Sequence, residues 1–204
     1  NGLFGRNLGK TLVGVIGSGT VLISFLLSVA CFNQVSASGP IHQVVYNFFT
    51  VDSLRVDFSF LVDQLSVWMM LIVTGVGFLI HVYSIGYMHD DEGFWKFFAY
   101  LNLFIFSMLL LVMGDNFLML FFGWEGVGLC SYLLIGFWYQ NREYGHAARK
   151  AFIMNRIGDL GLLLGIFLIY NTFGSIAFAE VFSAAKNLGA GDATITVICL
   201  LLLV

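Results

Sequence analysis

Charge is scarce in this 204-residue sequence: Lys, Arg, Asp and Glu together make up 10% of it, against about 25% in an ordinary soluble domain. Hydrophobic residues reach 59% and the mean hydropathy is +0.92. So little polar surface cannot clothe a water-soluble globule of this size, which excludes a soluble enzyme. Intrinsic disorder needs low hydrophobicity and high charge, and is excluded too. A formal net charge of -3 with no basic stripe of interleaved aromatics gives nucleic acid nothing to bind. The three cysteines, Cys31, Cys130 and Cys199, lie far apart in apolar runs and form no CxxC pair. No zinc site or iron–sulfur cluster is expected on this chain, and disulfides would need an aqueous, oxidising setting. GxGxxG, P-loop and HExxH patterns are missing, so no nucleotide site is recognisable and any redox chemistry must happen elsewhere.

Long apolar runs are what the sequence has instead. A spanning helix needs about 20 mainly apolar residues to cross roughly 30 Å of hydrocarbon. Five stretches reach that length: Thr11–Phe32, Gln64–Met88, Phe97–Gly114, Phe117–Tyr139 and Ala151–Tyr170. A sixth starts near Ala193. Helices are expected because lipid offers no water to the backbone N–H and C=O groups. The sequence opens on Asn1 and stops inside ATITVICLLLLV, which reads as a piece of a longer membrane protein.

Loops on one side hold Arg6, Lys10, Lys96, Arg142, Arg149 and Lys150; those on the other hold Arg55 and Lys186. By the positive-inside rule the first side is cytoplasmic or its organellar equivalent, and Trp95, Trp138 and Tyr139 lie at that boundary as an aromatic belt. The external loop from Asn33 to about Asp63 contains the single proline, Pro40. Within it Leu54, Val56, Phe58 and Phe60 alternate with Arg55, Asp57 and Ser59, the period of a strand and of half a hairpin. Ser175–Leu188 gathers Phe178, Val181, Phe182, Ala185 and Leu188 on one face, which predicts a short interfacial helix.

Charges within spans stand apart, since one at a bilayer centre costs about 2.5–3.5 kcal/mol on insertion scales. Four ionisable side chains are of interest: His81, Glu125, Arg156 and Asp159. Glu125 lies roughly 12 Å below the outer end of its span, near mid-depth. Desolvation there disfavours a bare carboxylate unless a cation compensates, which suits a group that takes up and releases protons. The plainer reading is a neutral Glu hydrogen-bonded to a neighbouring helix. Gly123, Gly126 and Gly128 around it suggest close helix packing. Arg156 and Asp159, three apart, share a face and can pair; a structural ion pair and a proton-modulated one are equally open. Arg149 and Lys150 read as boundary anchors, although Arg149 shares the Arg156 face and could extend a polar path. His81 reads as a satisfied core histidine, and Asp115 as the N-cap of the fourth span.

The blocks FFGWEGVGLCSYLLIGFW, LVDQLSVWMMLIVTGVGFLIHVYS and KAFIMNRIGDLGLL closely resemble the largest antiporter-like membrane subunits of respiratory complex I, the bacterial L or mitochondrial subunit 5 family. The likeness runs over nearly the whole chain. It implies an all-α polytopic bundle of five complete spans and a truncated sixth, the N-terminal part of an inverted-repeat fold. Residues 1–113 would precede the proton-translocating domain, and 114–204 would begin it. By the same resemblance Glu125 is the key proton-carrying carboxylate, and Asp159 with Arg156 the charged pair that also affects pumping. The family's lysine partner for Glu125 lies on the next helix, where no lysine occurs between 193 and 204.

The implied protein is a proton-translocating subunit of an NADH:quinone oxidoreductase in a bacterial inner or mitochondrial inner membrane. Its partners would be the lipid bilayer and the other membrane and peripheral subunits. No cofactor is expected on this chain; FMN, iron–sulfur clusters and quinone would be held by partner subunits. Two alternatives remain: a subunit of a multi-subunit sodium/proton antiporter, and a membrane scaffold whose polar residues only hold neighbours.

Overall fold

The computed structural model describes residues 2, 5–51, 54–189 and 191–203; the side chains of Val51 and Leu54 also lie outside the described set. After a short 3-10 turn come α1 (Lys10–Ser38), β1 (Ile41–Val51), β2 (Leu54–Val62), α2 (Gln64–Tyr87), α3 (Phe94–Met113), α4 (Phe117–Ile135), α5 (Arg142–Phe173), α6 (Phe178–Ala185) and α7 (Ala193–Leu203). Helices α1 to α5 are long and apolar enough to cross a membrane. They run up and down, with the hairpin at one end of the bundle and the cation-rich loops at the other.

Element ends follow from local chemistry. Asp63 opens α2 with a reciprocal capping box: its carboxylate accepts from Ser66 N–H at 2.8 Å, and the Ser66 hydroxyl accepts from Asp63 N–H at 2.7 Å. Gly39, at φ 86°, closes α1 with its N–H on Val35 O, and Pro40 prevents the helix from continuing. Gly174, at φ 70°, closes α5 in the same way on Tyr170 O.

Three boundaries differ from the sequence expectation by four residues or more. α1 runs on past Phe32 to Ser38, and α4 stops at Ile135, where Phe137 turns away to pack edge-on against Phe97. The largest difference is at α5, which begins at Arg142, nine residues before Ala151. Hydropathy fades over REYGHAARK, but Arg, Glu, Ala and Lys favour helix, and Asn141 caps it by accepting from Glu143 N–H. The fourth span's cap is also corrected. Asn116, not Asp115, caps α4, accepting from Met119 N–H at 2.9 Å.

Asp115 serves the hairpin end instead. Its Oδ2 accepts from the Ser59 hydroxyl at 3.0 Å and meets His42 Nε2 at 2.7 Å, while the Asn116 amide donates to Asp57 O. These contacts tie the antiparallel hairpin to the α3–α4 turn. The expected alternation in β2 is therefore only partly a face of burial: Val56 is buried, but so is polar Ser59, because it has this partner. Asp57 is held below the ordinary carboxylate range by hydrogen bonds from Asn47 and then Arg55. A depressed acid stabilises the fold above its unfolded value, about 3.9, and that contribution is lost as acid takes the pH down through the lowered one. The predicted interfacial helix is α6. Phe178 packs edge-on against Phe117 at 4.7 Å, and Phe117 N–H donates to Ile176 O.

At the other end, Lys10 donates to His89 O and the Trp138 indole to Asp91, over a core of Val13, Met88, Phe94 and Phe98. Between the ends, α4 approaches α3 through glycine. A Cβ on Gly123 would stand 2.4 Å from Leu111 N, and one on Gly126 2.6 Å from the Ser107 hydroxyl. The neighbour at Gly123 is backbone, which cannot rotate aside. Gly123→Ala is therefore expected to force α3 and α4 apart, at a cost of about 1–3 kcal/mol. Gly19→Ala, which meets nothing within 4 Å, should leave the thermal midpoint of the detergent-purified protein close to the parent value. Equal midpoints for the two variants would refute this account of the contact.

Candidate functional site

Glycine on one side of α4 and polar residues on the other follow from the helix turn. At about 100° per residue, Gly123 and Gly126 share one face, and Trp124, Glu125 and Gly128 share the opposite face. The first meets α3. The second meets α5, which presents Phe152, Arg156 and Asp159 along a single stripe. Because the helices are antiparallel, residue 124 faces residue 159, and residue 125 faces residue 156.

The contacts are those of one cluster. Arg156 Nη1 donates to Glu125 Oε2. Its Nε lies 3.1 Å from Asp159 Oδ2, within ion-pair range, although the angle between them is not that of a hydrogen bond. The Trp124 indole N–H donates to Asp159 Oδ1 at 2.8 Å. The guanidinium also lies over the Phe152 ring, 4.7 Å from its centroid, and Phe152 leans on Tyr132. A Cβ on Gly128 would come 3.2 Å from Arg156 Nη2, so glycine is what leaves room for the cation. Asp159 is 4% exposed, whereas the Glu125 and Arg156 side chains are 28% and 32% exposed.

The arrangement is more connected than a pair on one helix. Arg156 is shared by two carboxylates from two helices, and the trio carries one excess negative charge when all three are ionised. By helix rise, Glu125 is about 12 Å from the start of α4, and Arg156 about 21 Å from the start of the longer α5. Both sit in the middle third of the bundle.

The structure therefore brings together Glu125, Arg156 and Asp159, and it adds Trp124 and Phe152, which the sequence reading passed over. Their signal was helical: each lies on the face already marked by a charge. Arg149 stays apart. It reaches Gly145 O and His146 at the cation-rich end, and Phe152 occupies the stripe between it and Arg156. His81 is a core residue, 1% exposed, but it is only half satisfied. Its Nδ1 lies 2.7 Å from Gly77 O, and Nε2 is buried with no partner among the described residues.

Comparisons with known proteins agree with this organisation. Residues 48–98 match the family described as NADH-Ubiquinone oxidoreductase (complex I), chain 5 N-terminus, and residues 114–204 match NADH:quinone oxidoreductase/Mrp antiporter, TM. The chain is 52% identical over 191 residues to NADH-quinone oxidoreductase subunit L of Mycobacterium tuberculosis, covering 94% of this chain and 29% of that protein. With the Campylobacter jejuni subunit L the identity is 59% over 71% of this chain and 24% of the relative. With NADH-ubiquinone oxidoreductase chain 5 of Cryptococcus neoformans it is 43% over all of this chain and 30% of the relative. The chain thus spans less than a third of the length of these curated relatives.

Among solved structures, the Mrp complex from Dietzia sp. DQ12-45-1b superposes with a TM-score of 0.71 at 24% identity, covering 95% of this chain and 23% of that one. An archaeal membrane-bound sulfane sulfur reductase gives 0.79 at 20% identity over 97% of this chain and 39% of that one. These two likenesses establish the fold alone.

A shared cation makes a specific energetic demand. Arg156→Gln leaves two carboxylates facing each other and should cost about 3 kcal/mol, the low end for breaking a buried ion pair. Adding Glu125→Gln to that variant removes one of the stranded charges and should recover part of the loss. Thermal unfolding of the single and double variants measures both, and a double variant no more stable than the single one would contradict the shared-cation picture.

Proposed function

The chain belongs to the antiporter-like membrane subunits of NADH:quinone oxidoreductases and their Mrp relatives, and from that premise we propose that it moves protons across the bilayer through Glu125, Arg156 and Asp159. The carrying observation is the trio itself: two acids and one cation at mid-depth, joined across α4 and α5. Such a cluster cannot hold its excess charge cheaply in hydrocarbon. It has a standing reason to bind a proton or to draw a further cation toward it.

The chemistry proceeds from these residues. With Glu125 ionised, Arg156 is divided between two carboxylates and the trio is net negative. Protonation of Glu125 leaves Arg156 balanced by Asp159 alone, and the cluster becomes neutral. A charge brought near Glu125 or withdrawn from it therefore changes which state is favoured, and the two states form a switch that loads and releases a proton. The energy for driving it comes from outside the chain. In this reading the other subunits of the complex supply it by reducing quinone, and they hold the FMN, iron–sulfur clusters and quinone. The segment 114–204 is then the start of the proton-translocating domain, and 1–113 the portion that packs beside it.

Exchange of sodium against protons is the second reading, favoured by the Mrp antiporters named in the description of the family that matches 114–204. Purification separates the two. Co-isolation of the full-length subunit with flavin and iron–sulfur proteins supports the first reading, and isolation as an antiporter assembly without them supports the second.

In membrane vesicles holding the whole complex, Glu125→Gln should assemble normally and lower proton pumping at least about tenfold, below the usual contribution of a positioned acid–base group. Glu125→Asp should keep part of the activity. Unchanged pumping by the Gln variant ends the proposal. Asp159→Asn should be milder than Glu125→Gln, since Glu125, the proposed proton carrier, stays in place and Arg156 keeps the path polar. An equal or greater loss would reverse the assignment of the two acids.

A further inference from the structure

Among the described residues the trio holds one more acid than cations, and hydrogen-bond chemistry bears on which acid takes a proton. Asp159 accepts the Trp124 indole N–H on Oδ1 and has Oδ2 3.1 Å from Arg156 Nε, an ion-pair contact without hydrogen-bond geometry. Neither an indole nor a guanidinium has a lone pair to receive a hydrogen. A proton on Oδ1 of Asp159 would compete with the indole N–H, and one on Oδ2 would lie beside the guanidinium cation with no lone pair there to receive it. Glu125 differs. Its Oε2 takes the Arg156 guanidinium, while its Oε1 makes no hydrogen bond to protein among the described residues.

We propose that Trp124 is a positioning residue: its indole N–H holds Asp159 as the fixed anion of the trio and thereby leaves Glu125 as the member that takes and gives up the proton. This inference rests on the reading of Glu125 as proton carrier. The ring of Trp124 is half-exposed, so a phenyl group would serve the outer surface there as well. The nitrogen is the part that reaches the buried acid. Its place in the sequence matters too. Because residues 124 and 125 are adjacent on α4, any shift of Glu125 along the helix axis carries the donor with it, so the two acids respond together.

Among the described residues the groups facing this pair are few, and the lysine that the family resemblance implies on the next helix is not one of them. From α5 come Arg156 and Asp159; from α4 come Glu125 and the neutral indole. Where α3 meets α4 at the glycines it offers Leu111 and Ser107, and α7 offers Leu201 and Leu202 to Gly165 of α5, all uncharged. Without the indole, Oδ1 of Asp159 loses its donor, and the excess proton can divide between two acids that now differ little.

The test uses the complete complex carrying the full-length subunit, read by infrared difference spectroscopy of protonated carboxyls and by pumping as a function of pH. Trp124→Phe removes the N–H and keeps an aromatic ring; Trp124→His keeps a ring N–H. In the parent, a carboxyl band that disappears in Glu125→Gln is expected. In Trp124→Phe a second band should appear, one that a further Asp159→Asn change removes, together with a several-fold lower pumping rate and a displaced pH profile. Trp124→His should return the spectrum toward a single band. If the Phe variant does not assemble, replacement of Trp124 by benzothienylalanine, which exchanges the N–H for sulfur at equal size, takes its place.

A Trp124→Phe or benzothienylalanine protein with the parent's carboxyl spectrum and pH profile overturns the proposal, whether or not pumping is reduced, because the ring would then act by bulk alone. The two readings fail separately. Normal pumping by Glu125→Gln defeats the proton-carrier reading, whereas an unaltered spectrum without the indole N–H defeats only the role of Trp124.

Discussion

Arg156 is the one cation that two acids from neighbouring helices share, and the centre of the bundle is arranged around that imbalance. A guanidinium presents donors in several directions from one plane, so it can hold Glu125 by Nη1 and lie beside Asp159 by Nε at once. A lysine ammonium is a single point charge and could not divide itself over that geometry in the same way. The ring of Phe152 over the guanidinium supplies attraction without a third charge. The cation is thereby kept at depth while the charge count of the trio itself stays one short of neutral. A fully balanced cluster would be more stable and would bind a further proton less readily.

Packing makes the cluster possible before electrostatics acts. Helices in lipid gain no hydrophobic advantage from each other and associate by close contact and by hydrogen bonds between them. α4 does both, on opposite faces. Gly123 and Gly126 bring it against the backbone of α3, while Gly128 clears the space that the Arg156 guanidinium enters. A β-carbon at 123 would push α4 off α3, and one at 128 would press on the cation. The same short stretch therefore fixes how near α4 stands to one neighbour and how much polar volume it shares with the other.

Most of this was legible in the sequence, for reasons that can be stated. Five long apolar runs in lipid pointed to helices, and alternation from Leu54 to Phe60 suggested a strand and half a hairpin, so the bundle and its hairpin were readable. Glu125, Arg156 and Asp159 stood out because charge inside such runs is costly. Their joining was not readable from spacing on α5 alone, since it depends on the facing of two helices. The wheel of α4 held the missing information: with glycines on one side, the opposite side had to carry Trp124 and Glu125 together. Hydropathy failed at Arg142–Lys150, where a helix leaves the apolar layer and continues on propensity and a cap. It failed also at Asp115, where two adjacent residues can each cap and the tertiary partners His42 and Ser59 claimed one of them.

The ends of the bundle bear on what the middle can do. At the hairpin end Asp115, His42, Ser59, Asp57 and Asn116 satisfy one another across the α3–α4 turn. At the opposite end Lys10 and Trp138 close α1 and α4 onto the α2–α3 loop. Both ends are thus held by polar contacts between elements, whereas at mid-depth the only ion pairs among the described residues are those of Arg156. A change of charge arriving inside the bilayer meets a frame fixed at both surfaces and one unbalanced cluster between them. In the proposed mechanism the response begins in side chains, with a carboxyl gaining or losing hydrogen and a guanidinium redistributing between two acids.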